Sequence, residues 1–562
     1  MSEYVVFTGV NGFDPSNLSL SLLSGGLRRY LQMPGSELTE SRHVVGRSVL
    51  VTLATGLPPD TEMHALQSFR RGSGAEIVFT NDRVVIETPL VTNRTLWRFR
   101  NHELDLVSTS LQALSYLIGD VELDESAAHW MLLSGTLGPE VSWDRRIRQM
   151  SPATRYVLGT GETVPRHKAD NGSLLRRSVD WERELEQRLG AVIDGLDLRP
   201  ADWGLPLSGG VDSRGLALAL GGSLPAFTWG AESSRADPLS DLSVACRVAA
   251  KLQLDHCSLD LTAGRTPAGA VLDRFVAASE CRTENIAGYV DGMQLWQDLR
   301  ALGIRGIVRG DEVFGWVRRT APPASRVSTG AVFAGDLLVP QRLKSAFEAI
   351  ASQQTIPSWI VQDSGESLPD YRDRLYRRFR CSSLLAALTQ TKSGYVDVTN
   401  PFLADPVVEL VSQMPAKLRT DKKMFKRYVT ARSHGIPFAE RSSERPSSDF
   451  LRDLETSRVL RDQLSALPSP VGVEPEILEF VMENRDVAGS GSGGSERGRR
   501  VIATVRRTVP HTLRRELAIR QLSQPQRVDA SQLLFRTFLV AAGQQLLVSA
   551  AAAGRVAMPH PQ

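Results

Sequence analysis

Two hydrophobic rhythms divide the chain. Up to about residue 165, short apolar and β-branched runs ("YVVFTGV", "SVLVTLA", "AEIVFT", "RVVIETPL", "ELDLVST") alternate with turn residues. Runs of that length bounded by Gly, Asn, Asp and Ser predict strands. "DESAAHWMLLSG" interrupts them as a helix, with Asp124 in capping position. The first part therefore predicts an α+β sheet domain. From about residue 180 the rhythm changes to alternation. Helix "WERELEQRLGAVIDGL", strand "DWGLPL", helix "RGLALALGG", strand "PAFTWG" and helix "SDLSVACRVAAKL" follow one another, then helix "VDGMQLWQDLRAL" and strand "IRGIVRG". Such alternation predicts an α/β doubly wound domain, a parallel sheet with helices on both faces. Beyond about residue 335 the pattern is mostly helical. The expected division is residues 1–170, 180–485 and 486–562, the last a Gly/Ser linker with a helical extension.

A chain of 562 residues exceeds what one core organises, in keeping with that division. A formal charge of +3 gives no reason to invoke nucleic acid. The four cysteines (Cys246, Cys257, Cys281, Cys381) form no CxxC pair, which argues against a zinc site and for a reducing compartment. The opening "MSEYVVFTGVNGF" has no basic flank and no long apolar run, so it does not read as a signal peptide. "LLFRTFLVAAGQQLLVSAAAAG" is broken by Arg536, Gln544 and Gln545, so no membrane span is expected. A cytoplasmic protein is the expectation. Gly489, Gly491 and Gly494 match G-x-G-x-x-G spacing, but no strand precedes them and the segment is low in complexity.

Chemistry concentrates in "PLSGGVDSRG", Pro206 to Gly215, between a predicted strand and a predicted helix. There Ser208 and Ser213 offer hydroxyls, and Gly209 and Gly210 let the backbone approach an anion held at the helix N-terminus. The G-x-x-x-x-G-K-[ST] form is absent. Asp212 would repel phosphate unless it holds Mg²⁺, which bridges phosphate oxygens. A second strand end, "IRGIVRGDEVFGW", supplies Gly310, Asp311 and Glu312. In open parallel sheets ligands bind beyond the carboxyl ends of the strands, so both loops are expected in one crevice. Taken singly, the first loop reads equally as a ligand-free turn and the second as a solvated acidic pair.

Taken in order, the pieces resemble a family. "LSGGVDSR" is similar to the pyrophosphate loop of N-type ATP pyrophosphatases. "SDLSVACRVAAKLQLDH", "ALGIRGIVRGDEVFG", "VTNPFLADPVVELVSQMPAKL" and "KKMFKRYV" resemble successive segments of asparagine synthetase B and its relatives. "ELDLVSTSLQALSYLIGDVELDESAAHWMLLSGTLGP" with "RRIRQMSPATRYVL" is similar to that family's glutaminase-like (Ntn) domain. The resemblance spans roughly residues 75 to 435. It implies a degenerate class II glutamine amidotransferase-like domain followed by an ATP pyrophosphatase domain with a helical C-terminal part.

Two departures refine it. Ser2 stands where the family's glutamine-cleaving Cys would be, so glutamine is not the expected nitrogen source. Arg309-Gly310 directly precedes Asp311, without the Glu that asparagine synthetases carry there. Among relatives lacking that Cys, "RGDEVFGW" and the basic helical insertion before "NPFLADP" most resemble lasso peptide cyclases. The implied reaction is adenylylation of an Asp or Glu side chain of a precursor peptide, then ring closure by its N-terminal amine, with release of AMP and pyrophosphate. ATP and Mg²⁺ are the implied cofactors. A leader peptidase and a leader-binding protein are possible partners; nucleic acid and membrane are not expected. The resemblance assigns charge stabilisation to Lys426, with Lys423 one turn away as backup; Asp397, four residues before Pro401, is a candidate to orient the amine. It assigns Mg²⁺ to Asp212, Asp311 and, more weakly, Glu312. The arginines from Tyr371 to Arg380 would line a peptide cavity or simply solvate a helix. A β-lactam synthetase-like or asparagine synthetase-like ligase, and a non-catalytic peptide-binding scaffold, are the alternatives.

Overall fold

A computed structural model describes residues 2–9, 39–45, 48–54, 75–79, 83–166, 179–261, 266–433, 435–444, 447–483 and 526–557. The Gly/Ser linker expected near residues 486–500 lies outside them. In the N-terminal part the strands are β1 (Ser2–Gly9), β2 (Thr39–Val45), β3 (Ser48–Ala54), β4 (Glu76–Phe79) and β5 (Val84–Glu87), followed by β6 (Trp97–Arg100), β7 (Leu104–Ser108), β8 (Arg148–Gln149), β9 (Thr154–Val157) and β10 (Thr163–Pro165). They form two antiparallel sheets, β2-β3-β1-β7-β6-β8 and β10-β9-β5-β4. The expected helix is present as Glu125–Ser134, and the Asp124 carboxylate accepts from the Ser126 amide at 2.9 Å, satisfying an end donor that the helix cannot.

Next come β11 (Trp203–Pro206), β12 (Ala226–Gly230), β13 (His256–Asp260) and β14 (Gly306–Val308). After β15 (Leu337–Leu338), β16 (Asp397–Thr399) completes a parallel sheet ordered β13-β12-β11-β14-β16. Alternate strand residues point to opposite faces, so each strand feeds two cores. Ala226 and Val308 join one core, while Phe227, Ile307 and Val398 join the other. A sheet buried on both faces needs near-continuous apolar strands, which explains "GIV" and "VT" in β14 and β16.

The late apolar stretch is a helix, Ala530–Ala557. It is long and apolar enough to cross a bilayer, yet 78% of its most apolar window is buried against the rest of the chain. Its polar residues have internal partners. Arg536 pairs with Glu284 at 2.7 Å and donates to the carbonyls of Leu132 and Leu133, and Gln544 bonds both the amide and the carbonyl of Val471. Gly543 and Gly554 sit where a Cβ would strike Trp143 and the Tyr116 carbonyl, so this helix lies directly on first-domain residues.

The segment Glu280–Glu284 also joins the two sheet regions. Thr283 bridges Thr136, Leu137 donates to the Arg282 carbonyl, and Glu284 donates to the Gly135 carbonyl. Glu280 is 3% exposed, and its carboxylate accepts from the Ser110 hydroxyl (2.7 Å) and the amides of Leu111 (3.1 Å) and Gln112 (3.0 Å). Those amides open the helix Leu111–Ile118, so an acid from the second region caps a helix of the first.

Candidate active site

β11 ends at Pro206, and the helix Val211–Leu220 begins five residues later. Between them Ser208 and Ser213 fold the chain back on itself. Their hydroxyls lie 2.9 Å apart, and Ser213 Oγ accepts from the Ser208 amide at 3.0 Å. Gly210 is the N-cap and has no side-chain cap. The two glycines differ in purpose. A Cβ on Gly209 would lie 2.5 Å from the Ala439 methyl, so this position is required for packing. A Cβ on Gly210 would meet only Ser208 Oγ, at 3.2 Å.

β14 lies beside β11, and the loop after it approaches the first loop closely. A Cβ on Gly310 would be 3.1 Å from the Asp212 carbonyl carbon and 3.2 Å from the Ser213 nitrogen. A side chain there would press on the first loop's backbone. Together the loops border a cleft of about 340 Å³, at the carboxyl ends of β11, β12 and β14. Ser208, Asp212, Ser213, Gly310 and Asp311 line it, whereas Gly209 and Gly210, also expected there, are not among its lining residues. Thr228, Trp229, Asp241, Arg309, Ser443 and Glu444 line it too, and none was assigned a role from the sequence. The Asp241 carboxylate takes the Gly209 amide, and burial raises its affinity for a proton. Glu444 accepts from Trp229 Nε1 at 2.7 Å, closing the far rim.

The acidic residues are arranged differently from a three-carboxylate metal site. Lys422 Nζ stands 2.7 Å from Asp212 Oδ2 and 2.9 Å from Glu312 Oε1. Asp311 instead faces Arg309 at 3.3 Å. With its amide oriented to satisfy both partners, Asn400 donates to Asp311 Oδ2 (3.2 Å) and to the Arg309 carbonyl (3.1 Å). Glu312 is 2% exposed, does not line the cleft, and also accepts from the Phe314 amide. Its assignment as a metal ligand is therefore corrected: unlike Asp212, which shares the same ammonium but lines the cleft, Glu312 is buried behind it. Among the described residues no group of three or more His, Cys, Asp or Glu side chains is placed to hold a metal. Asp212 and Asp311, on loops in van der Waals contact, remain a fitting donor pair for Mg²⁺, which uses one or two carboxylates and completes its shell with phosphate and water.

Three further expectations are corrected. Lys423 and Lys426 are exposed on the helix Lys423–Arg432; Lys422, which like them is not among the residues lining the cleft, is the lysine that pairs with Asp212. Asp421 and Lys422 both adopt left-handed backbone (φ 61° and 54°), and this kink turns Lys422 inward just before the helix starts. Such a conformation costs about 1–3 kcal/mol in a residue other than glycine, and concentrates at functional sites. Asp397 is buried at the amino end of β16, paired with Gly306, whereas the cleft opens beyond Val308. That places it two residues, about 7 Å, from the strand end that bears the site.

Burial pushes the Glu312 carboxyl up to about 7, and the Lys422 ammonium and Phe314 amide only partly offset it. Burial opposes the charge on Lys422 as well, but Glu312 and Asp212 outweigh it and raise its proton affinity well above the ordinary lysine range. For Glu312 the folded value exceeds the ordinary 4.5, so between these values the folded chain binds more protons than the unfolded chain. Its contribution to stability therefore declines as pH rises through that window. In thermal melts between about pH 5 and 8, the wild type should lose stability relative to Glu312→Gln as pH increases. Parallel melting curves would remove the assignment.

No protein-family model matches the chain, and no curated protein matches it.

Proposed function

We propose that this chain is an ATP-dependent, AMP-forming carbon–nitrogen ligase of the asparagine synthetase B-like type, and that its substrate is a peptide closed into a lasso macrolactam. In this reading the first domain is a degenerate glutaminase-like scaffold and the parallel-sheet domain an ATP pyrophosphatase. One observation supports it: two loops from the adjacent parallel strands β11 and β14 meet at a cleft lined by the Ser208 and Ser213 side chains, by Gly310 and by the Asp212 and Asp311 carboxylates. The set suits a polyphosphate with a divalent cation, and the cleft volume lies within the range of small-ligand sites.

A carboxylate is a poor acyl donor because it would have to expel oxide. Transfer of AMP to it, with loss of pyrophosphate, gives a mixed anhydride; attack by an amine then forms the amide and releases AMP. Ser208 and Ser213 would cradle the departing pyrophosphate, and Asp212 and Asp311 would hold Mg²⁺. When bound, that ion neutralises phosphate charge. Lys422, prepositioned by its two carboxylate partners, supplies the positive charge assigned by resemblance to Lys426. Positioning and charge stabilisation of this kind account for most of an enzyme's rate enhancement.

The test is pyrophosphate exchange into ATP, with Mg²⁺, in the presence of linear peptides carrying a free N-terminal amine and Asp or Glu at successive positions. At least one peptide should support exchange and lose one water on cyclisation. Exchange driven by free aspartate and by no peptide would replace the peptide reading with a small-molecule ligase. Absence of exchange with every substrate would leave only the non-catalytic scaffold.

A further inference from the structure

A second cavity, also about 340 Å³, lies away from the nucleotide cleft. It is bounded by the end of the helix Glu125–Ser134, by residues 283–285, by the start of the helix Ala530–Ala557 and by Arg380. Its lining is mostly hydrogen-bonding: Thr136, Thr283, Asn285, Thr329 and Gln532 all face it. Its one acid, Glu284, is already matched by Arg536 and by Gln532 at 2.9 Å. Arg380 has no carboxylate partner among the described residues; its guanidinium rests over the Trp316 ring at 5.4 Å. The cavity is thus polar, roomy and left with one unmatched positive charge.

The wall it shares with the acidic loop is unusual. Residues Tyr376–Leu385 form a π-helix, in which Ala386 donates to the Cys381 carbonyl. Such turns are rare and recur at functional sites. Here Phe379, Arg380 and Leu384 face the cavity, while Tyr376 and Cys381 are buried with Val313 and Phe314, just after Asp311 and Glu312. The Trp316 ring packs against Tyr376 in a tilted arrangement, centroids 4.9 Å apart, so one partition separates the cavity from the loop that carries Asp311. Of the arginine-rich stretch, Arg380 lines this cavity. Arg372 and Arg374 are committed to Asp373 and Glu366, and Arg378 lies over Trp359.

We propose that this cavity holds a carboxylate-bearing segment of the peptide substrate, with Arg380 as its anion receptor. The assignment rests on the ligase reading, because only a peptide reaching beyond the adenylylated residue needs a second seat behind the Asp311 loop. An Arg–carboxylate contact with two parallel hydrogen bonds would fix the chain's direction as well as bind it.

The test uses the full chain without nucleotide and a synthetic probe, Gly-Ala-Ser-Gly-Ala-Ser-Gly-Asp-photoleucine amide, crosslinked by light and mapped by mass spectrometry. Crosslinks should fall within residues 134–136, 283–285, 327–332 and 379–384. Replacing the probe's Asp by Asn, or Arg380→Gln, should each lower labelling about tenfold, the scale of one charge-assisted contact. Arg380→Lys should retain most of it, and Leu384→Trp, which fills the cavity, should block it. Labelling elsewhere only, or indifference to Arg380→Gln, overturns the proposal. Pyrophosphate exchange separates the two readings: labelling without exchange sinks the ligase and keeps the cavity, and exchange without labelling does the reverse.

Discussion

Lys422→Met should lower single-turnover AMP release by about 100- to 1,000-fold, the usual cost of deleting one preorganised charge-stabilising group. Lys423→Met and Lys426→Met should change it little. Methionine keeps the length and the left-handed backbone cost of Lys422, so the comparison isolates the ammonium. Loss of that charge leaves Asp212 and Glu312 facing one another, and the buried Glu312 can respond by staying protonated, so the fold should survive. Melting curves of all three variants serve as the control. Wild-type turnover in Lys422→Met, or a collapse in Lys426→Met, would return the role to the exposed face of the helix.

That contrast also marks where the sequence was readable. The strands flanking the serine-glycine loop, the helix after it and the meeting of "SGGVDS" with "GDEVFGW" follow from apolar runs, turn residues and the rule that parallel sheets bind ligands at strand ends. Strand "SVLVTLA" matches β3 residue for residue. Helical periodicity could not find Lys422, because its orientation depends on two left-handed residues imposed by tertiary packing. "KK" followed by a helical pattern was the only local signal. Asp397 failed for a related reason: strand composition does not reveal which end of a three-residue strand faces a crevice. Trp229, Asp241 and Glu444 converge from separate segments and carry no shared pattern.

The second large effect concerns stability. Glu280→Ala should destabilise the chain by about 4 kcal/mol, since it strands a hydroxyl and two amides in a buried place, each costing about 1–3 kcal/mol when unsatisfied. Burial pushes the Glu280 carboxyl up, so the residue is held there by its donors and not by exposure. Glu280 and Cys281 also sit in left-handed backbone (φ 51° and 55°), a cost borne only where neighbouring contacts demand it. The Trp143 indole donates to the Glu280 carbonyl at 3.1 Å, so the first region holds this turn by its backbone as well. Urea titration followed by tryptophan fluorescence should show the transition at lower urea. Glu280→Gln, which keeps one acceptor oxygen, should recover part of the loss. An unchanged midpoint in Glu280→Ala would mean the cap contributes nothing to joining the regions.

The helix Ala530–Ala557 has a consequence for biosynthesis. Arg536 and its Leu132 acceptor are 404 residues apart in sequence. At ribosomal speeds of about 5–20 residues per second, the apolar face around Tyr116 and Trp143 waits roughly 20–80 s for its cover. During that interval the nascent chain presents a bare hydrophobic surface, which makes the early helices a natural client for holding chaperones.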